Sequence, residues 1–274
     1  MSDRSAGDRV KGGITKLLKG TGNIVEGATG VVKDATVSTL SNAGGIVTGL
    51  TGTVSQVANG AFTAAGDVGT GLVRTAKGLV VGVLQGVGEV ATVTVGVLSD
   101  TVRAALKGTG DVGADVTKTA RGIAEGLIVA TRDTGVGLAE GAVALGRSTI
   151  VGVKDIGGDV IGTASATVSG AAVGASDIGG DVLSAIRNTA KGLVSGAGEV
   201  GVEVVDVVKG AITGAVGGAK EIGVSVEDAA SAAATGAFEA AEKIGESAVH
   251  AVRDVAASGV GGVKAIITGQ TDNS

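Results

Sequence analysis

The chain has no proline, cysteine, tryptophan or tyrosine, and its 274 residues include only two aromatics, Phe62 and Phe238. Without cysteine there is neither a disulfide nor a thiolate nucleophile or metal ligand. With so few aromatics the apolar set is Val, Ala, Ile and Leu, which suits coating a surface better than filling a thick globular core. The single histidine, His250, falls among charged neighbours on a polar column and reads as a surface residue rather than a ligand, and the serines have no histidine placed to activate them. These absences point to a non-enzymatic protein with no catalytic residue, no metal and no cofactor.

Charge of one sign is also missing as a block. The net charge is −5, no basic run tracks a phosphate backbone and no aromatics are there to stack on bases, so nucleic acid is not an expected partner. The first 20 residues are locally basic (Arg4, Arg9, Lys11, Lys16 and Lys19 against Asp3 and Asp8), whereas residues 199–254 are acidic. Residues 1–20 lack an apolar core of the secretory kind, and a cytoplasmic location is expected. Residues 35–66 carry no charge, but Thr, Ser, Asn and Gln are scattered through them, which argues against a membrane span.

What is abundant is glycine, 52 residues of it, and periodicity. Written in rows of 11 from Met1, the sequence fills 24 rows without a slip of register, as in DVGTGLVRTAK (67–77) and DIGGDVLSAIR (177–187). Columns two, three, six, seven and ten contain only Asp3 and Glu227 of the 49 charged residues (22 basic plus 27 acidic), where even scattering would place about 22 there. A second-order repeat of 22 is visible too. Asp67, Glu89, Asp111, Asp133, Asp155, Asp177, Glu199 and Glu221 all open a row, and six of these rows continue with Val or Ile and then Gly.

Eleven residues make three turns of about 3.67, so each column keeps its angle along a helix and the uncharged columns form one apolar arc. The pattern therefore predicts an all-α chain, a very long amphipathic helix either extended to about 400 Å or doubled into long hairpins. A β-solenoid is the lesser alternative, because the apolar columns change parity in every row. The expected organisation is a basic N-terminal segment at 1–11, a continuous repeat array at 12–268 and a tail at 269–274.

Three sets of residues are candidates for function. The lipid- or partner-facing stripe comprises Val68, Leu72, Leu79, Val83, Val90, Val112, Val116, Ile123, Leu127, Ile156, Val160, Ile178, Val182, Val200, Val204, Ile222 and Val226. A basic border follows in column eleven, with Lys33, Lys77, Arg121, Arg132, Lys154, Arg187, Lys209 and Lys220 facing an acidic column one. Columns five and nine are rich in glycine, and Gly82/Gly86, Gly170/Gly174, Gly192/Gly196 and Gly214/Gly218 give the four-residue spacing at which a second helix comes close. In the lateral-packing reading a neighbour approaches over the glycines while its basic edge meets the acidic column. Two matches to G-x-G-x-x-G, at 108–113 and 196–201, are chance at this glycine frequency.

Each helical glycine costs about 1 kcal/mol relative to alanine, so the helix needs an apolar surface along its length, whether lipid, another copy or the chain folded back on itself. Fold-back needs turns, and Asn59-Gly60 is the one conventional turn dipeptide.

The hexamers Lys118-Thr119-Ala120-Arg121-Gly122-Ile123, Arg74-Thr75-Ala76-Lys77-Gly78-Leu79 and Asn188-Thr189-Ala190-Lys191-Gly192-Leu193 resemble the K-T-K-E-G-V core of the synuclein repeats. The chain is also similar to the 11-residue repeat regions of perilipins and, more loosely, to granule-coating phasins. Here a basic residue, Arg121, Lys77 or Lys191, stands where the synuclein core has Glu. The resemblance implies a coat that becomes helical on a lipid or polymer surface, peripheral on a membrane, droplet or granule, with copies side by side. Two other readings of the same pattern are a lipid-free helical filament or tube and a stress- or ice-associated helical protein.

Overall fold

The computed structural model describes residues 6–18, 24–42, 50–68 and 71–268. Among them are twelve helices: α1 (Ala6–Leu18), α2 (Ile24–Asn42), α3 (Leu50–Val68), α4 (Leu72–Val90), α5 (Val95–Asp111), α6 (Val116–Thr134), α7 (Leu138–Asp155), α8 (Val160–Asp177), α9 (Val182–Val200), α10 (Val204–Ile222), α11 (Val226–Ile244) and α12 (Glu246–Ser258). The described residues hold no strand, only an isolated bridge between Val260 and Val263, so the β-solenoid is set aside.

The long continuous helix does not form, and the reason lies in one glycine of every second row. Gly113, Gly135, Gly157, Gly179, Gly201, Gly223 and Gly245 all have positive φ, each 22 residues after the last. Only glycine enters this region without strain, and here it ends a helix. Around Gly113 the Ala114 amide donates to the Thr109 carbonyl and the Gly113 amide to that of Gly110. The same paired hydrogen bonds recur at Gly157 and Gly179, which makes this a Schellman stop. Two residues after the glycine, Asp115, Asp159, Asp181 or Ser225 accepts from a backbone N–H of the next helix and starts it. At position 91 the glycine is replaced by Ala91, and there the chain leaves α4 in an extended conformation instead (φ −156°, ψ 170°).

Consecutive helices run antiparallel, and from α1 to α11 the most extensive contacts join helices two apart, whereas α12 meets α11 more extensively than α10. The odd helices thus stack in one layer, α1 to α11, and the even helices in a second, a two-layer solenoid of helical hairpins. Two contiguous apolar clusters fill the space between the layers. Small side chains suffice because the filling is thin: Ala, Val, Leu and Ile do nearly all of it, with Phe62 fully buried and Phe238 nearly so. The composition expected not to fill a thick globular core fills a thin one between two helical layers.

Asn59-Gly60 lies inside α3 and makes no turn. Helix ends at Ser258, ten residues short of the expected array boundary, and residues 259–268 form a non-helical strap. The first five residues of the N-terminal segment and the 269–274 tail lie outside the described residues.

Candidate functional site

The most distinctive surface in the fold is the contact between stacked helices. In the even layer Gly122 and Gly126 of α6 sit on Val73 and Lys77 of α4, and Gly170 and Gly174 of α8 sit on Arg121 and Glu125 of α6. In the odd layer Gly192 and Gly196 of α9 sit on Val143 and Arg147 of α7, and Gly236 of α11 on Arg187 of α9. A methyl group on Gly126 would stand 2.6 Å from the Lys77 carbonyl oxygen, and one on Gly174 would stand 2.9 Å from that of Glu125. Backbone meets backbone here, the geometry in which Cα–H···O contacts and dispersion replace side-chain interdigitation.

All eight glycines of the packing set make such contacts within the chain: Gly82 and Gly86 on α2, Gly170 and Gly174 on α6, Gly192 and Gly196 on α7, Gly214 and Gly218 on α8. Between α5 and α7 the columns read Ala104 and Ser148 where neighbouring helices have glycine. A methyl on Gly152 stands 3.7 Å from Arg103 Cα, against 3.2 Å for Gly196 and Arg147. A groove of about 720 Å³ opens beside it, lined by Asp100, Arg103, Lys107, Asp111 and Asp155 among others.

Four of the eight residues of the basic border, Lys33, Lys77, Arg121 and Arg187, meet acids of other helices. Lys77 Nζ lies 2.7 Å from Asp177 and 3.8 Å from Glu125, and Arg121 lies 2.5 Å from Glu221 and 3.2 Å from Glu125. Lys77 with Asp177 and Arg121 with Glu221 share the same separation of 100 residues. Lys33 pairs with Glu89 at 2.5 Å, Arg187 with Glu239, and Arg132 with the adjacent Asp133. Lys154 donates to the Val200 carbonyl at the end of α9. Lys209 and Lys220 are exposed.

Of the apolar stripe, Leu79, Val83, Ile123 and Leu127 are buried in the chain's own core. Leu72, Val90, Val112, Val116, Ile156, Val160, Ile178, Val182, Val200, Val204, Ile222 and Val226 are half-buried at helix ends, flanking the links. Only the backbone of Val68, at the end of α3, is described. The segment 108–113 is the last turn of α5 with its glycine stop, and His250 is exposed on α12. No cluster of three or more metal-ligating side chains occurs among the described residues, and none of their helices is long and apolar enough to cross a membrane.

Two carboxylates respond to these surroundings in opposite senses. Burial pushes the Glu125 carboxyl above the usual carboxylate range despite Lys77 and Arg121. For Glu239 burial pushes the same way, but hydrogen bonds from Lys191 and Arg187 outweigh it and hold the carboxyl low. A raised acid pKa means that the folded state binds more protons, so the Glu125 term weakens the fold as pH rises past about 4.5. The Glu239 term is present above that pH and is lost below it. Glu125→Gln is therefore expected to leave the pH 7 melting temperature unchanged or higher. Glu239→Gln is expected to lower stability by about 0.5 kcal/mol, less in high salt. Thermal melts at pH 4 and pH 7 check both signs.

No protein-family model and no curated protein matches this chain.

Proposed function

We propose that the chain is a non-enzymatic structural scaffold, a stack of helical hairpins that is complete without lipid and presents a polar, charge-laced exterior. The observation that carries this reading is the use of the glycine and apolar columns: both are spent on helix-to-helix contacts inside one chain. A solenoid of this kind derives its stability from nearest-neighbour interfaces and serves as a spacer or platform.

The competing reading, a coat whose stripe dips into lipid with its basic border at the head groups, needs the same columns to leave the core. Circular dichroism with and without vesicles of equal phosphatidylserine and phosphatidylcholine, combined with flotation, separates the two. The scaffold reading expects the same helical content in both conditions and no protein in the floating fraction. Helix that rises sharply on vesicles, with co-flotation, would establish the coat.

A further inference from the structure

The two ends of the stack differ. Every interior helix of the odd layer receives a later helix on one particular face, as α9 receives Gly236 of α11 over Arg187. The corresponding positions on α11, 44 residues beyond Arg187 and Lys191, are Ser231 and Thr235. No further helix among the described residues arrives there. Instead the strap crosses that face: the Ile266 amide donates to Ser231 Oγ at 3.0 Å and the Thr268 amide to Thr235 Oγ1 at 3.1 Å.

The strap reaches this face by a tight reversal. Val260 and Val263 exchange backbone hydrogen bonds across Gly261 and Gly262, both with positive φ, as a two-residue hairpin requires. From there side chains alternate: Val263, Ala265 and Ile267 pack partly buried against the core, whereas Ile266 is 73% exposed. An extended segment therefore stands where the repeat would place a helix, held by two side-chain acceptors and a longer Ala265 amide contact to the Ala256 carbonyl (3.4 Å).

At the other end, α1 presents Gly12, with nothing near it, and the exposed Lys16. The charges of the two ends are complementary. Helix α1 carries Arg9, Lys11 and Lys16 against Asp8, net +2. Helix α11, apart from Glu239 in its pairing with Arg187 and Lys191, carries Glu227, Asp228 and Glu242 against Lys243, net −2.

We propose that the strap is a displaceable cap, and that the α11 face beneath it is the docking site for helix α1 of a second copy, joining copies head to tail. Such a contact is heterologous and places a helix where the interior repeat would place one, with Lys16 at the crossing position that Gly60, Gly192 and Gly236 hold inside the chain. The strap limits it by occupying the face in each free molecule.

The test uses the full chain with Ser231→Ala and Thr235→Val together, which removes both acceptors without deleting the strap. Hydrogen exchange at the Ile266 and Thr268 amides reports strap release, circular dichroism reports folding, and sedimentation velocity in 50 mM salt reports association. The expected result is faster exchange at both amides, unchanged helix content and self-association at least tenfold tighter than in the parent chain. Adding Lys16→Glu, or 0.5 M salt, is expected to reverse the association. A folded variant with fast-exchanging amides that stays monomeric overturns the proposal. So do oligomers indifferent to Lys16→Glu and salt, and so does exchange that stays as slow as in the parent chain.

Discussion

Gly214→Ala is expected to destabilise the protein by about 3 kcal/mol, whereas Gly217→Ala, three residues on in the same helix, is expected to stabilise it by up to about 1 kcal/mol. The position of Cβ is fixed by the backbone, so no rotamer relieves a clash at the β-carbon itself. On Gly214 a methyl would overlap the Ser165 carbonyl oxygen and lie within 2.9 Å of Ser165 Cα, both parts of the α8 backbone. Helices α8 and α10 would have to separate, loosening the contacts of their neighbours as well. Gly217 is exposed, with nothing within 4 Å, and there alanine only narrows the unfolded ensemble and improves helix propensity. Chemical denaturation of the two variants beside the parent reads the opposite signs directly.

The second large effect belongs to the core. Leu127→Ala is expected to cost about 3 to 4 kcal/mol, towards the upper part of the range for such truncations. Leu127 is fully buried in α6, in the apolar cluster that the two layers share. The size of the loss depends on how far the surroundings can collapse into the cavity. Here α6 is pinned against α4 by Gly122 and Gly126 and against α8 by Gly170 and Gly174, so little collapse is open to it. Urea unfolding followed by far-UV circular dichroism measures the loss, and a change below 1 kcal/mol would mean that the layers are not packed as described.

Much of this architecture is legible in the columns. The uncharged arc marks the face turned to the core, the glycine columns mark where backbones approach, and the opposition of columns eleven and one anticipates Lys77 with Asp177 and Arg121 with Glu221. The links are what an 11-residue register hides. Column five merges two roles that alternate from row to row: Gly126, Gly170 and Gly214 pack in mid-helix, whereas Asp115, Asp159 and Asp181 begin a helix. Averaged together they read as one small-residue edge. The Asp-Val-Gly and Asp-Ile-Gly openings at 111–113, 155–157 and 177–179 were visible as a repeat, but they are helix stops rather than helix starts.

Such links need no proline and no Asn-Gly, and because helix plus link totals 22 residues at every step from α6 to α11 the register passes through them unbroken. That is why an uninterrupted pattern suggested an uninterrupted helix. The strap gives no periodic signal, since Gly259, Gly261 and Gly262 act through backbone conformation rather than through a column.

The central claim is that the apolar columns are satisfied by the chain itself, in a stack of short helices. Small-angle X-ray scattering of the lipid-free protein tests it most directly. Helices of 19 residues span about 28 Å, and six to a layer at 8 to 10 Å spacing give a particle with a longest dimension of about 70 Å. A scattering profile of that size, with high helix content in plain buffer, is the predicted result. A rod of several hundred ångströms, or the profile of an unfolded chain that becomes helical only when vesicles are added, would contradict it.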